Sequence, residues 1–308
     1  MARYQGFVYD SARWDRFKFR AGDIVIDTPP KAGTTWMQRI CSLLIFGTPR
    51  LDVPLTKLSP WLDMLTLPLE PLLDDLEAQR HRRFIKTHLP FDGLPFDERV
   101  TYICVGRDPR DLALSWDNHM ANTDFEVSSG LLAGQVGHVA VEEMMKTMPP
   151  PLETERERFW AWVDDPTPVE QTVTSLQAVL NLLTSFWAVR DKPNVILLHY
   201  EDLKSDLEGQ MRALALRLSI EIPEDRWPVL AHAATFDEMR RAASEVAPLA
   251  DKSIWKDTTQ FFHRGTSGQW RALLNDADNA RYAARVRALA APDLAAWVHR
   301  GGGFSSAA

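Results

Sequence analysis

Cysteine is scarce in this chain of 308 residues: Cys41 and Cys104 are the two, each set in an apolar run. That excludes a disulfide scaffold and makes buried free thiols the expectation over a bridge or a metal pair. Long apolar runs are missing as well. None reaches the roughly 18 residues of a membrane span, and the N-terminus MARYQ offers no secretion segment. A soluble, cytoplasmic protein is the simplest expectation. Basic excess is also absent, since 35 Lys plus Arg stand against 42 Asp plus Glu, a formal net charge of −7. A nucleic-acid binder is disfavoured, although a local positive pocket remains open. Neither a repeat nor a low-complexity block occurs. What is present is ordinary globular material: 45% hydrophobic and 25% charged residues exclude a disordered or collagenous chain. The 11 tryptophans suit either a large core or the lining of an apolar cavity.

Short β-prone runs alternate with helical patterns. Strands are expected at residues 23–28 (DIVIDT), 83–86, 100–105 and 194–198. Helices are expected at 36–46, 72–80, 109 to about 120, 172–189, 200–218, 226–233, 235–243 and 277–289. Thr34 or Thr35 is a candidate cap for the first helix, and Gly47-Thr48-Pro49 ends it. The opening segment to Gly22 reads as a surface-packed lead-in, and the Gly301–Gly303 tail needs no fold role. Residues 121–170, with Gly130, Gly134, Gly137 and Pro149-Pro150-Pro151, read as a mobile or variable acceptor-side cap on a single domain spanning 1–308. Alternating strands and helices imply an α/β fold, a central mostly parallel sheet flanked by helices. Ligands of such sheets collect at the carboxyl ends of the strands. Three polar clusters fall there: residues 29–35, 86–88 and 106–115.

The first cluster is Thr28-Pro29-Pro30-Lys31-Ala32-Gly33-Thr34-Thr35-Trp36. Lys31 supplies a mobile cation with three donors, Gly33 permits close backbone approach, and a helix starting near Thr34 points free N–H groups at an anion. It is a P-loop-like phosphate-binding loop, but not the common triphosphate loop, because its lysine precedes the glycine. An ordinary helix cap with a surface lysine would look the same in isolation.

Lys31 through Trp36 resembles the 5′-phosphosulfate loop of the soluble sulfotransferase family, which usually has Ser where this chain has Ala32. The resemblance continues at Lys86-Thr87-His88, Arg107 through Ser115, Tyr200-Glu201-Asp202, and Arg264-Gly265 with Gly268 and Trp270. It covers roughly residues 20–290. The stretches from Trp61-Leu62-Asp63 to His88 and from Tyr102 to Asp111 are most like mycobacterial glycolipid sulfotransferases.

That resemblance implies sulfuryl transfer from 3′-phosphoadenosine 5′-phosphosulfate (PAPS), leaving 3′-phosphoadenosine 5′-phosphate (PAP). It implies His88 as general base, with Lys31 and Lys86 on the transferred group or bridging oxygen. Ala32, Gly33, Thr34 and Thr35 would line the 5′-phosphate, Arg107 and Ser115 would bind the 3′-phosphate, and Trp36 and Phe236 would sandwich adenine. Tyr200, Thr235, Phe262, His263, Arg264 and the Gly265 backbone would complete the nucleotide side. The chemistry suits the residue types: a histidine accepts a proton near neutral pH, and a planar Arg fork matches a dianion.

Some positions depart from the pattern. His263 stands where the family usually has Arg, Ala234 where many relatives carry a hydroxyl, and Gln269 where Asp is common. The dimer signature of the animal members is not recognisable. A kinase is the first rival, disfavoured by loop order and by the lack of an acidic pair for magnesium, so no catalytic metal is expected. A noncatalytic PAP-binding protein is the second. The expected acceptor is a lipophilic hydroxyl compound, a glycolipid foremost and a phenol next, with peripheral membrane contact and oligomeric state left open.

Overall fold

The structure, a computed structural model, describes residues 1–147 and 152–302. Four strands, β1 (Ile24–Asp27), β2 (Phe84–Thr87), β3 (Thr101–Gly106) and β4 (Val195–His199), form one sheet of order β2-β1-β3-β4 with every pair parallel. Each lies within a residue or two of its expected span. The strands are apolar on both faces because helices cover both. Ile24, Ile26, Phe84, Ile103 and Val105 meet Met37, Ile40 and Leu44 of the Thr34–Phe46 helix on one side. Val25, Ile85, Tyr102 and Cys104 meet Leu112, Leu180, Phe186 and Trp297 on the other. Cys41 and Cys104 are buried free thiols.

Four expectations need correction. The N-terminal segment is core, since Tyr4, Tyr9, Trp14 and Phe17 are buried. Residues 121–170 are largely helical, as Phe125–Val136, His138–Thr147 and Glu155–Val163. Interior Gly130 and Gly134 weaken the helical signal there, but caps at Asp124 and Thr154 supply the starts. The last of these helices packs Phe159, Trp162 and Val163 into the main core, so this part of the segment is a structural wall. The expected 200–218 helix is two helices, Tyr200–Ser205 and Leu207–Arg217, broken at Asp206, which caps the second. A terminal helix, Pro292–Arg300, has no counterpart in the sequence reading. Pro149-Pro150-Pro151 and Gly303 lie outside the described residues. Among the described residues no helix is long and apolar enough to cross a membrane.

The terminal helix matters to the sheet. Its Trp297 side chain packs against the last residue of β3, where a Cβ on Gly106 would stand 2.4 Å from the indole. Gly106→Ala should therefore overpack the strand end and cost about 1–3 kcal/mol, lowering the urea midpoint. An unchanged midpoint would mean that Trp297 yields freely.

Candidate functional site

Each strand of the sheet delivers a polar residue at or just past its carboxyl end. Lys31 follows β1, His88 follows β2, Arg107 follows β3 and Tyr200 follows β4. Between β1 and the first helix the chain takes left-handed conformations at Lys31 (φ 73°) and Gly33 (φ 105°). The second has a steric reason, since a Cβ on Gly33 would lie 3.2 Å from the Tyr200 ring. The first is a non-glycine residue held at positive φ, the kind of strain found at ligand sites. Gly33 is also the helix N-cap and supplies no side chain, which corrects the expectation that Thr34 or Thr35 caps the helix. The Thr34 hydroxyl instead meets the Thr28 hydroxyl at 2.5 Å. Ala32 is fully buried in the core. The first-turn N–H groups of Thr34–Phe46 thus remain for an anion.

The cations here oppose one another. Lys31 donates to His119 Nδ1 at 3.2 Å and lies 4.5 Å over the Phe261 ring. Burial, then Lys86 and Arg107, lower its pKa to about 7. The Lys86 ammonium sits 4.8 Å over the Trp61 ring, and burial lowers it to about 8 against the pull of Asp63. Arg107 is buried, donating from Nη1 to the Lys31 carbonyl (3.0 Å) and from Nη2 to the Thr266 carbonyl (3.2 Å). Its guanidinium lies 4.0 Å over Tyr200, and among the described residues its buried Nε has no partner. Mutually destabilising cations with a spare buried donor fit a polyanionic ligand.

His88 is buried and its Nδ1 stands 2.6 Å from the Thr28 carbonyl oxygen. A carbonyl can only accept, so Nδ1 carries the proton and Nε2 keeps its lone pair. Burial, then Lys86, push the His88 pKa well below its ordinary value, with the Thr28 carbonyl pulling upward. The ring is thus neutral around pH 7, in the tautomer a base at Nε2 requires.

The nucleotide-side residues are assembled unevenly. Trp36 donates to the Ala234 carbonyl at 2.7 Å and meets Tyr200 edge-on at 5.3 Å. Burial raises the Tyr200 pKa, so the phenol stays neutral. The Gly265 backbone lies on the Phe236 ring, where an added Cβ would come within 2.5 Å. Phe262 is core, edge-on to Phe236 at 6.3 Å. Thr235 spends its hydroxyl capping the Phe236–Arg241 helix and donating to the His232 carbonyl. The 263–268 loop is latched by Gly268 N–H to the Asp111 carboxylate (2.9 Å) and by the Ser267 hydroxyl to Glu201. Arg264 is exposed, with Nη1 on the Gln269 side chain at 3.2 Å, while His263 is half-buried beside Gln260. Burial and the nearby Arg264 lower the His263 pKa, leaving it less cationic than the Arg it replaces. Ser115 is half-buried, and among the described residues its hydroxyl has no hydrogen-bond partner.

His119 was missed by sequence reasoning. It lies four residues beyond Ser115 on the Pro109–Asn122 helix, and that spacing puts both on one face. It stacks on Trp116 and meets Trp255 edge-on. Burial and the neighbouring lysines hold it neutral, so it accepts from Lys31.

A parallel α/β sheet with this anion-facing loop after its central strand β1, joined through Arg107 to the latched 263–268 loop, is an arrangement suited to a phosphate-bearing ligand. The chain belongs to the sulfotransferase family: a family model described as "Sulfotransferase domain" matches residues 21–292. It is 41% identical to a glycolipid sulfotransferase of Mycobacterium bovis over 97% of this chain and 94% of that protein. The corresponding Mycobacterium tuberculosis protein is also 41% identical, with the same coverage. Sulfotransferase 1A1 of Rattus norvegicus is 23% identical over 84% of this chain and 81% of its own length. Two solved structures share the fold. Retinol dehydratase with androsterone and inactive cofactor PAP aligns at TM-score 0.69 and 20% identity, covering 92% of this chain and 89% of that one. A mouse sulfotransferase complexed with PAP aligns at 0.66 and 19%, covering 93% and 90%.

Lys31 gives a direct electrostatic test. At pH 8 an ammonium with a pKa of about 7 is mostly neutral, and an anion beside it raises that pKa. Binding of PAP at pH 8 should therefore take up roughly one to one and a half protons, the larger share at Lys31 and the rest at half-protonated Lys86, read from calorimetry in buffers of different ionisation enthalpy. A binding enthalpy independent of buffer would contradict the shift.

Proposed function

We propose that this sulfotransferase takes PAPS as its donor and sulfates the hydroxyl of a lipophilic acceptor, a glycolipid foremost. The observation that carries the mechanism is His88, buried and neutral, with Nδ1 committed to Thr28 and, among the described residues, no hydrogen-bond partner at Nε2. The donor supplies an activated sulfuryl group. His88 Nε2 takes the proton as the acceptor oxygen forms its bond to sulfur and the bond from sulfur to the phosphate oxygen breaks. Lys31, Lys86 and the N–H groups at the start of the Thr34–Phe46 helix hold the negative charge left on that phosphate. Arg107, with its spare Nε, and Ser115 receive the 3′-phosphate, and Trp36, Tyr200 and Phe236 receive the base. Phe262 backs Phe236 from the core, while Arg264 and the Gly265 backbone close over the nucleotide. We read residues 1–308 as one transferase unit acting without a catalytic metal. The glycolipid preference rests on the two mycobacterial relatives at 41% identity.

The decisive assay is transfer from labelled PAPS against lipid extracts, phenols and small alcohols, with the product identified by mass. Labelled glycolipid is the expected result, and labelled phenol alone would reverse the acceptor assignment. His88→Ala should lower kcat by about 100-fold or more while PAP affinity stays within about twofold. Full turnover in folded protein would remove His88 from the chemistry. Arg107→Ala should weaken PAP binding by about 10- to 100-fold in calorimetry. Unchanged affinity would place the 3′-phosphate elsewhere.

A further inference from the structure

The segment Pro60–Leu62 extends the sheet edge beyond β2 as an extended strip. Lys86 N–H donates to the Pro60 carbonyl at 2.9 Å, Leu62 N–H reaches the Lys86 carbonyl at 3.4 Å, and Trp61 pairs with Lys86 in parallel. This register places the Trp61 indole against both polar residues of the strand end. The Lys86 ammonium lies 4.8 Å over the ring, and the His88 imidazole meets it edge-on at 4.8 Å and 85°. The indole is itself held. Its N–H donates to Asp63 Oδ2 at 2.8 Å, while Asp63 Oδ1 accepts from Trp14 Nε1 at 3.1 Å. Asp63 is fully buried, and its backbone carbonyl accepts from Asp10 N–H at 2.8 Å.

We propose that Trp61 and Asp63 are positioning residues for the transfer step: Asp63 fixes the indole, and the indole sets where Lys86 and His88 point. The proposal rests on the roles given above to those two residues. Lysine is among the side chains that lose most rotamer freedom on ordering, so an aromatic face that attracts its ammonium narrows the choice. The edge contact does the same for the imidazole, whose other side is pinned to Thr28. Burial raises the Asp63 pKa, hydrogen bonds from Thr87, Trp61 and Trp14 pull it back toward the charged form, and that carboxylate pulls the Lys86 pKa up. The groups facing Lys86 are Asp63, His88, Lys31 and His119, and Asp63 alone among them is acidic. The groups facing Asp63 besides Lys86 are Asp27, Tyr9 and Arg13. Removing the Asp63 charge therefore leaves Lys86 among bases and like charges, where its proton comes off at lower pH.

The test uses the full chain with Trp61→Phe, Trp61→Leu and Asp63→Asn, and Lys86→Ala and His88→Ala as references. Trp61→Phe keeps a ring face without the N–H, and kcat should fall about tenfold. Trp61→Leu removes the face, and kcat should fall about 100-fold, the scale of a reactive group misplaced by an ångström. PAP affinity should stay within about twofold in both. In Asp63→Asn the titration of Lys86, followed by its side-chain nitrogen shift in NMR, should move down by about one pH unit. A rise in acceptor KM with kcat unchanged in both Trp61 variants would make Trp61 a substrate contact only and overturn the proposal. So would a folded Asp63→Asn protein in which the Lys86 titration is unmoved. Should Asp63→Asn not fold, the two Trp61 variants decide. If Lys86→Ala and His88→Ala both turn over normally, the roles beneath the proposal fail, and the proposal falls with them.

Discussion

Thr28 is the joint on which the site depends. It is fully buried at the exit of β1, its carbonyl accepts the His88 Nδ1 proton, and its hydroxyl meets that of Thr34. One residue thus ties the edge strand β2, the central strand β1 and the start of the anion-facing helix. With Nδ1 committed, the imidazole can neither tautomerise nor turn without leaving a buried carbonyl unpaired, which costs about 1–3 kcal/mol. The parallel sheet sets the distances among strand ends, and Thr28 turns that spacing into a defined protonation state.

Around this joint the protein holds groups in states that folding alone would not choose. Lys31 sits at positive φ with a depressed pKa, and Arg107 keeps a buried donor free. Buried Asp27 lies in register between Thr87 and Cys104, and burial raises its carboxyl well above its ordinary pKa. The cost is offset by apolar packing on both sheet faces. Among the described residues Lys31, Lys86 and Arg107 form no salt bridge, so the site is ready for a ligand of opposite charge.

The strands were legible because each is an apolar run closed by a turn signal, and the phosphate loop because lysine, glycine and two threonines precede a helical stripe. The Phe125–Val136 helix was hidden by Gly130 and Gly134, whose low propensity its Asp124 cap offsets, and the Glu155–Val163 helix, behind its Thr154 cap, is held by the packing of Phe159 and Trp162 on distant residues. Pro292–Arg300 was missed although Pro292 in its first turn and Leu294, Trp297 and Val298 at helical spacing mark it; its reason for existing, the docking of Trp297 on Gly106, joins residues far apart in sequence. The same holds for His119 and for Asp63 beneath Trp61. Their partners, Lys31 and Trp14, come from other elements, so no local spacing announces them. The polar groups at the strand ends follow their strands and can be read in order, whereas the groups that orient them meet only in the folded chain.

The most direct measurement is the tautomer of His88, read from its imidazole nitrogen shifts by NMR on protein labelled with nitrogen-15. The account predicts a neutral ring protonated at Nδ1, unchanged between about pH 6 and 8. An imidazolium at neutral pH, or a proton on Nε2, would contradict it.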